Sequence, residues 1–589
     1  MTKLIAKYIK PYRLMFILGS LSKLLEAALE LCLPLLMANI IDIGIVRGDR
    51  GYILRMGAYL LILIVLGLAA ALYCQYCAAV SSCGTGLNIR NALIERISAF
   101  SYAELDKFGT ETLINRTASD VNYVQQAVAF TVRLVSRAPF LCIGAVVMSL
   151  MIDVTLTLIF LVTIPILGVI LFWFMKTTSP LYTRVQKKLD RAALIVRENL
   201  GGVRVIRAFS RTKKEEERFA EAAGELREVS NHAANLATLM NPLTSMIVNL
   251  SVIAILYFGA SRVFEGRLTQ GNILALCTYA TKILYALIVV ANLVVMFAKA
   301  IVSSERINEV LNTEPSVIFP EETGADDSVS GGLPHEKQGE YSFEFNNVTF
   351  SYNGGENVLS NITFAVKRGW TLGIVGITGS GKTTLLNLLQ RFYDVSGGEI
   401  KIGGRNIKEY PGDRLRREIG IVPQTGVLFS GSVAENIRWG KADAADGEII
   451  DALKIAQAYD FISALPEGIE AQVGEGGGNF SGGQRQRLTI ARAVVKRPEI
   501  LIFDDSLSAL DYKTDMLLRK SLKASLPAST TSVIVSQRIS SVRNADKIVV
   551  LREGEISGMG THEELLASCG HYREIYSSQF RDGEDDVKW

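Results

Sequence analysis

Three stretches in the first half of the chain, 56–89, 154–175 and 233–261, contain no ionised side chain. Each reaches the roughly 20 residues of helix that span the hydrocarbon core of a bilayer. In lipid every backbone polar group must be satisfied internally, so such runs have to be helices. Three further apolar segments, about 14–43, 130–152 and 272–298, are interrupted only by isolated charges and complete a set of six spans. The overall hydrophobic fraction of 49% against 21% charged residues exceeds that of an ordinary soluble enzyme, and the excess lies in this half.

The opening "MTKLIAKYIKPYR" is basic and amphipathic, and the apolar run behind it is too long for a signal peptide. It reads as an interfacial helix leading into the first span. Lys and Arg concentrate before the first span and in the two long loops, above all 176–235, whereas the loops near Arg50 and Arg267 carry few. With six spans both termini share a side, and this bias puts them in the cytoplasm of a cell membrane. Those long loops combine apolar residues at helical spacing with charges elsewhere, as in "NIRNALIERISAF", so the membrane helices are expected to continue into the cytoplasm. A net charge of +3 gives no argument for a nucleic-acid partner. Of seven cysteines, Cys74 and Cys77 form a C-x-x-C inside a charge-free span, where packing is the expected role rather than metal or redox chemistry.

Residues 312–340 are acidic and rich in Gly, Ser and Pro, which reads as a linker. It separates an α-helical transmembrane domain (1–311) from residues 341–589, where β-rich runs alternate with helical ones in the manner of an α/β domain.

The second domain carries "GITGSGKT", which fits G-x-x-x-x-G-K-S/T between the apolar strand "TLGIVG" and the helical "TTLLNLLQRF". In such a P-loop Gly376, Thr378, Gly379, Ser380 and Gly381 let backbone amides approach phosphates. Lys382 neutralises the β and γ groups, Thr383 offers its hydroxyl to Mg²⁺, and Thr384 follows in the same turn. "EILIFDD" supplies a buried strand ending in Asp504, a carboxylate for the Mg²⁺ shell. ATP and Mg²⁺ are the expected ligands.

Here the chain resembles the ATP-binding-cassette (ABC) transporter family. "NFSGGQRQR" is similar to its signature motif, "IVPQ" ending in Gln424 to its Q-loop, "FSY" ending in Tyr352 to its adenine-stacking aromatic, and "SALD" ending in Asp511 to its D-loop. "FGTETLINRTASDVNYVQ" and "NLGGVRVIRAF" are similar to cytoplasmic loops of six-span bacterial exporters. The resemblance implies a half-transporter that pairs head to tail with a second half. Each ATP then lies on one P-loop and is closed over by the other half's signature, here Ser481, Gly482, Gly483 and Gln484. Gln424 would join Thr383 and Asp504 around the metal.

Two positions depart from the family. Where it has a glutamate that orients the attacking water and a histidine that contacts the γ-phosphate, this sequence has Asp505 and Gln537. Asp withdraws its carboxylate by more than about 1 Å, a displacement that can cost roughly a hundredfold in rate. Gln cannot carry charge or relay a proton. No register shift supplies the histidine, because the four in the chain are His232, His335, His562 and His571. The expectation is a site that binds ATP durably and hydrolyses it slowly, resembling the less active subunit of heterodimeric multidrug-type exporters. A homodimer with two slow sites, a peptide or lipid exporter and an ATP-gated channel remain as alternatives.

Within the spans, Lys23, Glu26, Glu30 and Lys282 are costly unless they face a cavity or pair with one another. Counting along the helices brings Glu30 and Lys282 to similar depths. An ion pair between them is one reading; recognition of cationic amphiphiles by Glu26 and Glu30 is the other. Arg133 and Arg137 are expected to reach water as parts of a solvated helix extension.

Overall fold

The computed structural model describes residues 1–320 and 339–580, so residues 321–338 of the expected linker lie outside the described residues. The chain divides into two units, Met1–Ser98 with Thr110–Thr313, and Ala99–Gly109 with Glu314–Trp589.

The first unit begins with a short helix, Thr2–Tyr8. Six long helical runs follow: Lys10–Ile45, Arg50–Ser98, Thr110–Ile152, Val154–Gly201, Thr212–Phe264 and Gln270–Asn312. The last five have 43 to 53 residues, which at 1.5 Å per residue is about twice the thickness of a bilayer core. The charged "QKKLDRAALIVRENL" is therefore the continuation of the fourth span, as its periodicity indicates. Side chains such as Leu61, Leu68 and Leu72 face outward. Between the helices, Ala27, Leu31, Ala145, Phe160, Ile255 and Tyr279 form one buried cluster. The Tyr279 hydroxyl inside it donates to the Leu31 carbonyl at 2.6 Å, so the phenol is not buried unsatisfied. All seven cysteines are free, with Cys74 and Cys77 buried among apolar neighbours.

The ends of the spans farthest from the termini are tied by carboxylates. Asp42 accepts from the Gly271 amide at 2.8 Å and from the Thr269 hydroxyl at 2.5 Å, joining the first span to the sixth. A Cβ on Gly271 would lie 2.4 Å from the Ala38 carbonyl oxygen, so only glycine permits this approach. Asp153 caps the fourth span by accepting from the Leu156 amide and pairs with Arg262 of the fifth.

In the second unit, β1 (Tyr341–Ser351), β2 (Asn357–Lys367), β4 (Gly397–Ile402) and β5 (Arg405–Asn406) form an antiparallel sheet ordered β2-β1-β4-β5. A six-stranded sheet contains β3 (Thr371–Val375), β6 (Ile419–Val422), β9 (Ile500–Asp504), β10 (Thr531–Val535), β11 (Lys547–Arg552) and β12 (Glu555–Gly560), ordered β12-β11-β3-β10-β9-β6. A two-stranded pair, β7 (Gly431–Ser432) and β8 (Gln472–Val473), completes the set. All but β12 run parallel in the six-stranded sheet. This matches the near-continuous apolar runs of strands covered on both faces.

The short helix Tyr102–Phe108 belongs to the second unit, although the sequence placed it within the first 311 residues. The second long helix ends at Ser98 and does not run on through this segment. Tyr102 stacks on Phe392 with ring centroids 4.3 Å apart, Asp106 accepts from the Tyr393 hydroxyl at 2.5 Å, and Glu104 accepts from the Ser316 amide at 3.1 Å. The hydrogen bonds from Ser101 and Ser316 hold the Glu104 carboxyl below its usual range against the opposing effect of burial.

Candidate functional site

The functional residues leave the six-stranded sheet at one level. Val535 of β10 lies opposite both Ile374 of β3 and Asp504 of β9. Gly376 follows Ile374 by two positions, Gln537 follows Val535 by two, and Asp505 is fastened to the same level by its amide, which donates to the Val535 carbonyl at 2.9 Å. Val422 of β6 pairs with Phe503, so Gln424 emerges one strand further along. Ligands bind at the carboxyl ends of strands in parallel α/β sheets, outside the last residues of the strands.

From β3 the chain turns through Gly376–Gly381 into the helix Lys382–Leu389. Gly381 sits at φ 96°, and a Cβ there would come within 2.7 Å of the Leu359 side chain, so the turn requires glycine on two counts. Thr378 and Gly379 are exposed at the tip while Ser380 is buried. The Lys382 ammonium donates to the carbonyls of Gly376 at 2.8 Å and Ile377 at 2.7 Å. Burial pulls its pKa down, opposed by the charges of Asp505 and Asp504. The Tyr352 hydroxyl shares a 3.1 Å hydrogen bond with that of Thr384, tying the aromatic residue after β1 to the first turn of the phosphate-loop helix. Motif spacing did not signal this bond.

Burial pushes the Asp504 carboxyl up, and the neighbouring Asp505 adds to the effect, while Lys382 and a hydrogen bond from Thr383 oppose it. Asp505 is raised by burial against Lys382 and Arg538, and its backbone is left-handed at φ 45°, a conformation Asp tolerates better than most residues. Thr383 and Asp504 thus form a hydroxyl–carboxylate pair of the hard-oxygen type that suits Mg²⁺. Among the described residues no group of three His, Cys, Asp or Glu side chains could hold a metal by itself. The pair therefore fits a cation that takes its other ligands from nucleotide phosphates and water.

Gln537 is exposed, and the turn that carries it is clamped from the C-terminal helix Gly570–Gln579. Gln579 donates its side-chain amide to the Gln537 carbonyl at 2.7 Å and accepts from the Ile539 amide at 2.9 Å. The 42 residues between the partners explain why sequence reading missed this brace.

The helix Gly482–Val494 starts on a capping box. Ser481 accepts from the Gln484 amide at 3.3 Å, and the Gln484 side chain accepts from the Ser481 amide at 2.9 Å. The amides of Gly482 and Gly483 form the positive end of that helix. Gly483 lies beside Ala509, so the signature turn and the "SALD" segment are neighbours. Asp511 caps the next helix, Tyr512–Ser525, and the Thr514 hydroxyl and amide hold its carboxyl below the usual range. No hydrogen bond among the described residues joins the signature turn to the phosphate loop of the same chain.

In the membrane unit Glu30 is fully engaged. Oε1 accepts from Lys282 at 2.8 Å and Oε2 from Arg137 at 2.7 Å. The expected Glu30–Lys282 approach is present, and Arg137 corrects the sequence reading: it is an ion-pair partner, not part of a solvated extension. Residue counting gives depth along a helix but not which face points inward. Glu30, Arg137 and Lys282 line a cavity of about 100 Å³. Glu26 is not among its lining residues and pairs with Lys23 at 2.7 Å.

Comparison with known proteins agrees with this arrangement. Residues 16–288 match the family described as "ABC transporter transmembrane region" and residues 359–508 the one described as "ABC transporter". The chain is 37% identical over 581 residues, 98% of each protein, to an uncharacterized ABC transporter ATP-binding protein of Mycobacterium tuberculosis. It is 38% identical to YfiB of Bacillus subtilis, covering 98% of this chain and 99% of that one. It is 33% identical over 500 residues to an ATP-dependent lipid A-core flippase of Syntrophus aciditrophicus, covering 85% and 81%. Its fold is similar to that of a bacterial Atm1-family ABC exporter with ATP bound, with a TM-score of 0.76 and 24% identity over 97% of this chain and 99% of the other. The chain belongs to the ABC transporter family: it is a multi-pass membrane protein with an exporter-type fold, whose nucleotide-binding cassette is an ATPase coupled to transport and whose relatives of this type work as dimers.

Proposed function

We propose that this chain is one half of a heterodimeric exporter that moves hydrophobic or amphipathic compounds out across a bacterial cell membrane. Its own P-loop binds ATP and cuts it slowly, while its signature turn closes the partner's faster site. The observation that carries this reading is the combination of a complete phosphate loop with Asp505 and Gln537 at the two hydrolytic positions. Every group needed to hold nucleotide is present, and the two that would drive hydrolysis are the two that differ. Thr383 and Asp504 would hold a magnesium ion, with Gln424 as a further ligand, and the ion would neutralise the nucleotide's phosphate charge. Ser481, Gly482, Gly483 and Gln484 face the partner's nucleotide.

The boundaries in this reading are 1–311 for the membrane domain, 312–340 for the linker and 341–589 for the cassette, with the Tyr102–Phe108 helix docked on the cassette fold. The excess of Lys and Arg in 176–235 favours cytoplasmic termini.

The test compares ATP turnover of the purified chain with that of the chain co-purified with a second half-transporter. The chain alone turns over far below the 1 to 10³ s⁻¹ typical of enzymes, and the pair reaches that range only while the partner's glutamate is intact. Ordinary turnover by the chain alone refutes the slow site and leaves a homodimer. Ion current without ATP-dependent accumulation in vesicles refutes the exporter and indicates a channel.

A further inference from the structure

We propose that Gln486 is a positioning residue for Gln424: from one turn inside the helix Gly482–Val494 it holds the backbone of the Q-loop, so that this loop takes its place from the signature helix. The inference deepens the reading of Gln424 as a metal ligand and rests on it.

Strand β6 pairs with β9 as far as Val422 and Phe503, so the ladder stops two residues short of Gln424. Pro423 has no amide hydrogen with which to extend it. From there the loop is held by side chains of the helix Gly482–Val494. The Gln486 side-chain amide donates to the Pro423 carbonyl at 2.9 Å. That carbonyl and the Gln424 nitrogen belong to one planar peptide unit, so the bond grips the unit on which Gln424 is mounted.

The contact continues along the loop. A Cβ on Gly426 would come within 3.0 Å of Gln486 Oε1 and 3.1 Å of Thr489 Oγ1, so loop and helix approach with little room for a side chain between them. Arg492 donates to the Val427 carbonyl at 2.9 Å and to the Asn436 side chain at 2.8 Å. Gln486, Thr489 and Arg492 follow one another at intervals of three and share one face of the helix. The Q-loop is laid along that face.

Gln486 is 2% exposed, whereas Gln424 is exposed. A buried amide whose donor is committed to a backbone carbonyl is costly to remove, because the carbonyl is left unpaired. Glu at this position could not donate when ionised, and Asn is one methylene shorter. Ser481 to Gln484 stand at the start of the same helix, so the segment that faces the partner's nucleotide in the reading above also sets the aim of Gln424.

The experiment measures equilibrium ATP binding to the purified full chain with Mg²⁺ and again with EDTA. The ratio of the two dissociation constants is the contribution of the metal. Gln424→Ala lowers this ratio. Gln486→Met, which keeps the volume and loses the donor, lowers it by about fivefold, the effect of one neutral hydrogen bond, while affinity in EDTA stays in place. In the Gln424→Ala background Gln486→Met has no further effect, because it acts through the residue already removed. Gly426→Ala presses on the same contact from the loop side and lowers the ratio with Gln486 intact; should Gln486→Met not fold, this variant decides. A ratio that falls in Gln424→Ala and is unchanged in Gln486→Met and Gly426→Ala overturns the positioning role and leaves Gln424 a ligand. An unchanged ratio in Gln424→Ala overturns the metal reading and the positioning role with it. Equal loss of affinity in both buffers, or additive effects in the double variant, gives Gln486 a general structural part and overturns the proposal.

Discussion

Replacing Glu30 by Gln tests the charge cluster of the membrane unit. Glu30 accepts two charge-assisted hydrogen bonds, at 2.8 Å from Lys282 and 2.7 Å from Arg137, and each such bond contributes about 1.5–3 kcal/mol. The Glu30 side chain is 29% exposed, which favours the lower end. Gln keeps the volume and one acceptor, but its amide nitrogen would face a cation that can only donate. One bond is lost and two positive charges are left without a counter-charge, a combined cost of about 3 kcal/mol. For a unit of this size that lowers the midpoint by about 6 °C. The assay is thermal unfolding of the detergent-solubilised protein followed by intrinsic fluorescence, run as a double-mutant cycle with Lys282→Met. Removing the orphaned lysine from the Glu30→Gln background returns about 1 kcal/mol, so the two changes couple and do not add. Unchanged stability in Glu30→Gln, or strict additivity in the cycle, refutes the claim that these groups act as one cluster.

Asp505→Glu together with Gln537→His raises the chain's own ATP turnover by about a hundredfold without changing nucleotide affinity, because the binding groups are untouched; measuring single-turnover hydrolysis beside equilibrium nucleotide binding checks the separation. Burial together with the neighbouring Glu499, against Arg414 and Arg368, pushes the Glu418 carboxyl up to about 7. Between its ordinary value near 4.5 and 7 the folded state binds the extra proton, so cassette stability falls as pH rises through that window and levels off above it. Glu418→Gln flattens this part of the pH–stability curve. Gln579→Ala frees the turn carrying Gln537 and slows single-turnover hydrolysis at the chain's own site by several-fold with little change in nucleotide affinity; an equal loss of affinity would indicate a general loss of cassette structure instead.

The register of β3, β9 and β10 explains why the phosphate site was legible residue by residue. A P-loop works through backbone amides at fixed offsets from a strand end, and its metal-binding carboxylate ends a strand of the same parallel sheet, here β9 across β10 from β3, so much of the chemistry is written in local spacing. Asp505 and Gln537 stood out only through the resemblance to the ABC family, which carries Glu and His at those positions. The six spans were equally plain, because lipid imposes a minimum apolar length on each helix.

What local spacing does not carry is which face of one helix meets another. Arg137 read as solvated because its depth was countable and its direction was not; tertiary packing turned it onto Glu30. The helix Tyr102–Phe108 read as part of the first domain, yet its contacts with Phe392 and Tyr393 come from nearly 290 positions away. Gln579 had no local signal at all. Sequence alone determined the identities and order of the functional groups, since these depend on covalent neighbours. Only the folded chain decided which charges neutralise one another, as Glu30 does with Lys282 and Arg137, because electrostatic partnership depends on distance in space.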